Sequence, residues 1–119
     1  MKNRRVKKGE IYYYDFGNRE GTVQSGKRPV LILQTNDFND NSATTMVAVL
    51  TSATKKRYLP SHIFLGEEYG LSEPSMVMLE HTSTVNQNDL QEYIGAIKYE
   101  KTMNQITKGL KKSVRVMGL

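Results

Sequence analysis

Short apolar runs, separated by polar segments rich in turn-forming residues, make up most of the chain. Two of these runs, Val30–Leu33 and Met46–Leu50, contain no polar residue at all. Unbroken apolar runs of this length are typical of strands that are covered on both faces. The pattern therefore predicts two central strands, at residues 28–35 and 44–51.

The spacing of apolar residues changes at Glu100. Met103, Ile106, Leu110 and Val114 recur at intervals of three and four residues. This period predicts an amphipathic helix whose other face carries lysines. Several short strands followed by one helix favour a mainly β domain, a small, curled SH3-like barrel of five to seven strands with a C-terminal helix.

The remaining elements are predicted from alternation and from turn residues. A first strand at Gly9–Phe16 is expected to turn Ile11, Tyr13 and Phe16 inward, because alternate strand residues share a face. Pro60, early in the fourth strand, indicates an edge position. The other predicted elements are strands at residues 59–65, 75–81 and 93–97, a turn at 36–42, and short helical turns at 67–71 and 86–90.

Composition and charge narrow the classes of function. The 119 residues fit one domain, residues 1–119, that begins with a basic arm at residues 1–8, and the formal charge of +5 favours a polyanionic partner such as RNA or DNA. The chain has no Cys and only two His, so we expect neither a disulfide nor a metal site, and no cofactor. With no long apolar run and no signal-peptide pattern, we expect a cytoplasmic protein.

The segment Ser25–Pro29 is the first candidate for chemistry. Gly26 permits a turn, Arg28 follows, and Pro29 fixes the backbone just before a buried strand. Arg28 would thus be a cation mounted on a rigid element. A simpler alternative is a basic turn residue that leads into the core. The hydroxyl-bearing residues Thr51 and Ser52 close the next apolar run and make a shared site more attractive.

Cleavage of RNA is one reaction open to a basic domain that lacks thiols and metal ligands, because the substrate supplies its own 2′-hydroxyl nucleophile. The protein must add a base, an acid and positive charge at the phosphate. Arg28 can bind phosphate oxygens in a bidentate manner but is a poor base, since the guanidinium stays protonated. The base is left open among Glu20, Glu80 and His81, whereas His62 is interpreted as a structural or surface residue.

The order of several motifs resembles the MazF/PemK family of toxin endoribonucleases. Val6–Tyr13 is similar to the family's opening, and Gln24–Leu31 contains a Gly-x-Arg-Pro signature. Val47–Thr51 is similar to its second motif. Further matching segments follow in the expected order at Leu59–His62, Tyr69–Leu71 and Leu79–His81, so that the resemblance covers nearly the whole chain.

This resemblance implies a homodimer that cuts single-stranded RNA at short sequences without metal, leaving 2′,3′-cyclic phosphate and 5′-hydroxyl ends, and that is blocked by an antitoxin protein. It assigns catalysis to Arg28 and Thr51, adds Glu80 from the later strand, and leaves His81 as a further candidate. The candidate substrate-binding residues lie near the expected RNA path and are Phe16, Glu20, Gln24, Lys27, Ser52, Lys55 and Lys56.

Two positions depart from the family's pattern. Val23 stands where many members have Glu, and His81 stands where Gln is common. One alternative function is a non-catalytic SH3-like module that binds RNA or protein. A gyrase poison of the CcdB type is a weaker alternative, because its C-terminal Trp-containing tail has no counterpart in a chain without Trp.

Overall fold

The computed structural model describes residues 5–18, 25–52 and 62–116. The described strands form a single antiparallel sheet of six strands in the order β4-β5-β3-β2-β1-β6, and the long helix follows β6. The prediction of a mainly β fold with a C-terminal helix is confirmed. The element bounds are β1 Glu10–Asp15, β2 Lys27–Ile32, α1 Asn36–Asn41, β3 Thr44–Ser52, β4 His62–Leu65, β5 Ser75–Asn86, β6 Tyr93–Ala96 and α2 Glu100–Val116.

Both faces of the sheet are covered, which explains why the central strands are apolar throughout. On β2, Leu31 belongs to one hydrophobic cluster, while Val30 and Ile32 belong to a second cluster on the opposite face. All three side chains are fully buried. Alternate residues of a strand point to opposite faces, so each face of β2 packs against its own core.

Helix α2 covers the first of these clusters. Ile106 is fully buried there, and Gly109 brings the helix so close to β5 that an added Cβ would overlap Leu79. Val114, which the apolar spacing placed in the buried stripe, is 41% exposed instead. The buried stripe runs instead through Gly109 and Ser113, and the close contact with β5 leaves no room for a side chain at Gly109.

The inward-facing residues of β1 differ in part from the prediction. Ile11 and Phe16 are buried as expected, but Tyr12 is buried and Tyr13 is only half-buried. Tyr12 joins the second cluster while Ile11 joins the first. A strict inside–outside alternation fails because this strand, like β2, has packed residues on both faces.

The segment predicted as a turn after β2 is the short helix α1. Asn39, at its centre, is fully buried, and its side-chain amide donates to the Gln34 carbonyl at 2.9 Å. Its Oδ1 accepts hydrogen bonds from Gln34 at 3.0 Å and from Thr45 at 2.7 Å. These contacts satisfy a polar residue that sequence composition alone assigns to a turn.

Strand β5 is longer than predicted and continues to Asn86, so Glu80 and His81 lie within the strand and not at its end. An irregularity in its pairing with β3 separates the Val49↔Met78 pair from the Ala48↔Thr82 pair. The predicted edge position of β4 is confirmed, although residues 59–61 lie outside the described part of the chain. Both short helical turns are confirmed, as 3-10 turns at Glu67–Tyr69 and Gln87–Asp89.

Candidate active site

The register between β2 and β3 brings the two principal candidate residues together. Val30 pairs with Val49, Leu31 with Ala48 and Ile32 with Val47. The same register, extended by two residues beyond the Val30–Val49 pair, sets Arg28 opposite Thr51. Because side chains on a strand alternate with period two, both residues lie on the same face of the sheet as the Val30–Val49 pair.

Arg28 and Thr51 line one cavity of about 180 Å³ at this end of the sheet. Its walls come from β1, β2, β3 and the segment that leads into β5. The lining residues are Tyr13, Lys27, Arg28, Pro29, Leu50, Thr51, Ser52, Leu71, Ser72, Glu73 and Ser75. The cavity therefore combines two cationic side chains, three serines and a threonine with one carboxylate, Glu73. The Ser75 hydroxyl donates to the Glu73 carbonyl at 3.0 Å, so the two cations are the main groups that suit an anion.

Arg28 is held in place from two directions. Its backbone pairs with Tyr14 of β1, and its Nε atom donates a hydrogen bond to the Ser25 carbonyl at 3.1 Å. Arg28 is half-buried, and Thr51 is 7% exposed. A guanidinium fixed through Nε keeps its terminal nitrogens directed along one line, which suits bidentate contact with phosphate oxygens.

Lys27 reaches the same cavity from the start of β2. Its Nζ atom lies 2.8 Å from Oε2 of Glu92 and 5.0 Å from the centroid of the Tyr13 ring. The hydrogen bond from Lys27 lowers the pKa of the Glu92 carboxyl below its usual value. Lys27 is thus engaged by a carboxylate and an aromatic face at the mouth of the cavity.

The other candidate substrate-binding residues are placed unevenly. Ser52 lines the cavity. Phe16 does not line the cavity: it is only 6% exposed, belongs to the second hydrophobic cluster and packs edge-to-face on Tyr14, with 4.7 Å between ring centroids. The remaining four predicted residues lie outside the described part of the chain, and they are Glu20, Gln24, Lys55 and Lys56.

Glu80 and His81 do not line this cavity. Glu80 Oε2 lies 2.7 Å from Nε2 of His62 and 3.7 Å from Nε2 of His81. His62 is 3% exposed, which fits the interpretation of a structural residue, but its bond to Glu80 was missed. The β4–β5 register, in which His62 pairs with Met78, places Glu80 two residues further on the same face. Only a known register could have revealed this contact.

The described residues contain neither a cluster of metal ligands nor a membrane-spanning helix. Within residues 5–18, 25–52 and 62–116, no group of three or more His, Cys, Asp or Glu side chains could hold a metal ion. Within the same ranges, no helix is long and apolar enough to cross a membrane.

The fold is a curled antiparallel sheet with a C-terminal helix, and a basic cavity with hydroxyl-bearing residues lies at one end of the sheet. These features indicate the class of protein that comparison with known families identifies. Residues 7–114 match the model of the PemK-like, MazF-like toxin family of type II toxin–antitoxin systems. The match spans most of the chain. The protein therefore belongs to this family.

Individual relatives agree with this assignment. The chain is 30% identical over 113 residues to endoribonuclease EndoA of Bacillus subtilis, a match that covers 94% of this chain and 97% of EndoA. It is 29% identical over 106 residues to endoribonuclease MazF of Staphylococcus saprophyticus, covering 88% of each. Among solved structures, a mycobacterial endoribonuclease in complex with its cognate antitoxin superimposes with a TM-score of 0.76 at 25% identity, over 92% of this chain and 94% of that one.

Proposed function

We propose that the protein is an endoribonuclease that cuts single-stranded RNA at short sequences, and that it is the toxin of a toxin–antitoxin pair. The observation that carries the proposal is the placement of Arg28 and Thr51 on facing strands, at the wall of one cavity. The names of the relatives, EndoA and MazF endoribonucleases, support the same activity.

In the proposed reaction the 2′-oxygen of the RNA attacks the adjacent phosphorus. The 2′-hydroxyl loses its proton to a base, the bond from phosphorus to the 5′-oxygen breaks, and that oxygen takes up a proton. The products are a 2′,3′-cyclic phosphate and a 5′-hydroxyl. Arg28 binds the phosphate oxygens as negative charge accumulates on them, and Thr51 donates a hydrogen bond to the same phosphate. Because the nucleophile belongs to the substrate, we propose that no metal is needed.

Proton transfer is assigned less directly. Thr51 pairs with Met76 on β5, and Glu80 lies four residues further along that strand. Four residues of an ideal strand span roughly 13 Å, so Glu80 and His81 lie beside the phosphate subsite of the same protomer and not within it. We propose that they contact the RNA on its way to the cavity. The pH dependence of the cleavage rate, compared between the wild type and Glu80→Gln and His81→Gln, identifies the group that acts as base.

The decisive experiment is incubation of the protein with a long single-stranded RNA in EDTA, followed by mapping of the cut sites and end chemistry. We expect cleavage by the wild type, and loss of cleavage by a factor of about 10²–10³ in Arg28→Ala, the range seen when one stabilising donor is removed from an active site. Arg28→Lys should restore little, because an ammonium cannot make the bidentate contact.

Two outcomes would overturn the proposal. Intact RNA after incubation with folded wild-type protein would favour the non-catalytic binding module. Full activity in a folded Arg28→Ala variant would remove the cavity from the mechanism. Circular dichroism of each variant establishes the fold. It should be unchanged, because Arg28 lies at the start of β2 and outside both hydrophobic clusters.

The proposed partners follow from the relatives. Solved structures that this chain resembles include a mycobacterial endoribonuclease with its cognate antitoxin and MazE–MazF complexes from Deinococcus radiodurans. We propose a homodimer that binds an antitoxin protein, and that the antitoxin competes with RNA. Sedimentation of the purified chain tests the dimer, and inhibition of RNA cleavage by a candidate antitoxin protein that co-purifies with the chain tests the antitoxin.

A further inference from the structure

The contact between Lys27 and Glu92 lies at the edge of the candidate active site. Lys27 Nζ donates to both carboxylate oxygens of Glu92, at 2.8 and 3.2 Å. The same ammonium sits over the ring of Tyr13, 5.0 Å from its centroid. Three elements thus meet here: β1 through Tyr13, β2 through Lys27, and the segment before β6 through Glu92.

The backbone around Glu92 is fixed although its side chain is exposed. The Tyr13 amide donates to the Glu92 carbonyl at 3.0 Å, and the Gln91 amide donates to the Tyr13 carbonyl at 2.8 Å. The side chains of Lys27 and Glu92 are 46% and 63% exposed. Glu92 is therefore anchored to β1 through its main chain, while its carboxylate is exposed to solvent. The Lys27 ammonium that it binds is likewise accessible to an approaching anion.

Tyr13 and Lys27 both line the cavity that holds Arg28 and Thr51. A nucleotide next to the one bound at Arg28 would meet this corner first. The corner offers what a nucleotide needs, a cation for phosphate and an aromatic face for a base. In the structure the Lys27 ammonium is bound by Glu92, and the face of the Tyr13 ring is covered by the Lys27 ammonium.

We propose that Tyr13, Lys27 and Glu92 form a nucleotide subsite beside Arg28, in which Glu92 holds the Lys27 ammonium over the Tyr13 ring until single-stranded RNA takes Lys27 over. On binding, a phosphate replaces the Glu92 carboxylate at Lys27, and the face of Tyr13 becomes available to stack on a base. This inference rests on the proposed function, since it names a subsite of the same RNA-binding cavity.

The exchange is physically reasonable because the contact that it breaks is weak. Ion pairs between exposed side chains contribute little to stability, since water and salt screen both charges. A phosphate of a nucleic acid offers Lys27 an equivalent charge-assisted bond. Formation of the Lys27–phosphate contact also releases condensed counterions from the RNA, which favours binding at low salt. Glu92 therefore lowers the affinity for RNA without preventing binding.

The test measures binding of a single-stranded RNA oligonucleotide that carries 2′-O-methyl groups and so cannot be cleaved, over a series of salt concentrations. We expect Glu92→Gln to bind about threefold more tightly at low salt. Its plot of log K against log salt should be steeper by up to about 0.7, the slope of one phosphate contact on a single strand, because the wild type takes up counterions when the Lys27–Glu92 ion pair breaks and the variant does not. The matched control is Glu100→Gln, an exposed residue on α2 with the same change in charge, which should leave affinity and slope unchanged.

A double-mutant cycle separates the proposed exchange from simple charge repulsion. If Glu92 acts by holding Lys27, the gain from Glu92→Gln must disappear in a Lys27→Met background. A gain that persists without Lys27 would overturn the proposal, because it would mean that Glu92 only repels RNA. Tyr13→Phe should bind as the wild type does, whereas Tyr13→Leu should bind more weakly. Equal binding by both variants would remove Tyr13 from the subsite.

Cleavage of the unmodified oligonucleotide, measured in parallel, shows whether the proposed ribonuclease activity fails or only the proposed nucleotide subsite. If the wild type fails to cut it, the proposed function fails whatever the binding data show. If the wild type cuts it while Glu92→Gln behaves like Glu100→Gln, only the subsite is wrong.

Discussion

His62 of β4 and Glu80 of β5 are joined by a hydrogen bond, with 2.7 Å between Nε2 and Oε2. The imidazole is 3% exposed, whereas the Glu80 side chain is 31% exposed and also lies 3.7 Å from His81. A buried donor therefore orients a carboxylate that is open to solvent. This arrangement makes His62 a positioning residue for Glu80.

Removing His62 should cost stability as well as orientation. We expect His62→Ala to lower the free energy of unfolding by about 2–4 kcal/mol, because it leaves a cavity at a buried position and removes the hydrogen bond to Glu80. His81→Ala, at a side chain that is 44% exposed, should change it by no more than about 0.5 kcal/mol. Urea denaturation of both variants measures the difference. Equal effects would show that His62 contributes no more than a surface residue.

The hydroxyl of Thr51 can be tested apart from its packing. Thr51→Val keeps the branched shape at a position that is 7% exposed and removes only the hydroxyl. We expect the rate of RNA cleavage to fall by about 10²-fold, while Thr51→Ser keeps most of it. Single-turnover cleavage at saturating enzyme isolates this step from RNA binding. A fully active Thr51→Val variant would exclude Thr51 from the chemistry.

The ion pair at the cavity mouth makes a prediction about pH. The hydrogen bond from Lys27 lowers the pKa of Glu92, so the folded state favours the ionised carboxylate. The stabilisation is present above the pKa that Glu92 has in the unfolded chain, and it is lost as the pH falls through the lower pKa of the folded state. A carboxyl-detected NMR titration should show the pKa of Glu92 rising towards its usual value in Lys27→Met. High salt should move it in the same direction, since both side chains are exposed.

Local sequence pattern was sufficient to predict the central strands of the fold, and it marked Arg28 and Thr51 as candidates for one site, whose roles stay a prediction from the family resemblance. The run that includes Val30 and Leu31 is apolar because both faces of β2 are covered by packed side chains. An unbroken apolar run in the sequence therefore indicates a strand that is buried on both faces. Arg28 and Thr51 were paired because each lies at the polar end of such a run, and antiparallel neighbours bring those ends together. The cavity that both residues line is consistent with this reasoning.

What sequence could not supply depends on register and on contacts between distant residues. The partner of His62 lies 18 residues away, and their contact follows from how β4 pairs with β5. Helix α1 was interpreted as a turn because asparagine and aspartate favour turns, but burial of Asn39 among Gln34 and Thr45 overrides that local preference. Hydrogen bonds between side chains, whether across 18 positions as for His62 or across five or six as for Asn39, leave no trace in apolar periodicity.

Gln87 is a buried polar residue that joins the N-terminal segment to the α1–β3 region. It is 1% exposed, and its Oε1 accepts a hydrogen bond from the Val6 amide at 3.0 Å across 81 positions of sequence. Its Nε2 donates to the carbonyl of Asn39 at 2.8 Å, of Ser42 at 2.8 Å and of Thr44 at 3.2 Å. One amide thus satisfies backbone groups from three separate segments, which no apolar residue could do.

We therefore expect Gln87→Leu to lower the free energy of unfolding by about 2–4 kcal/mol, although leucine is similar in size, because it leaves several buried backbone groups without partners. Gln105→Leu, at an exposed position of α2, is the matched control and should be nearly neutral. Hydrogen exchange adds a local readout, since the Val6 amide should exchange faster in Gln87→Leu than in the control. A Gln87→Leu variant as stable as the wild type would mean that water replaces the lost bonds at this site, and that the amide does not hold these segments together.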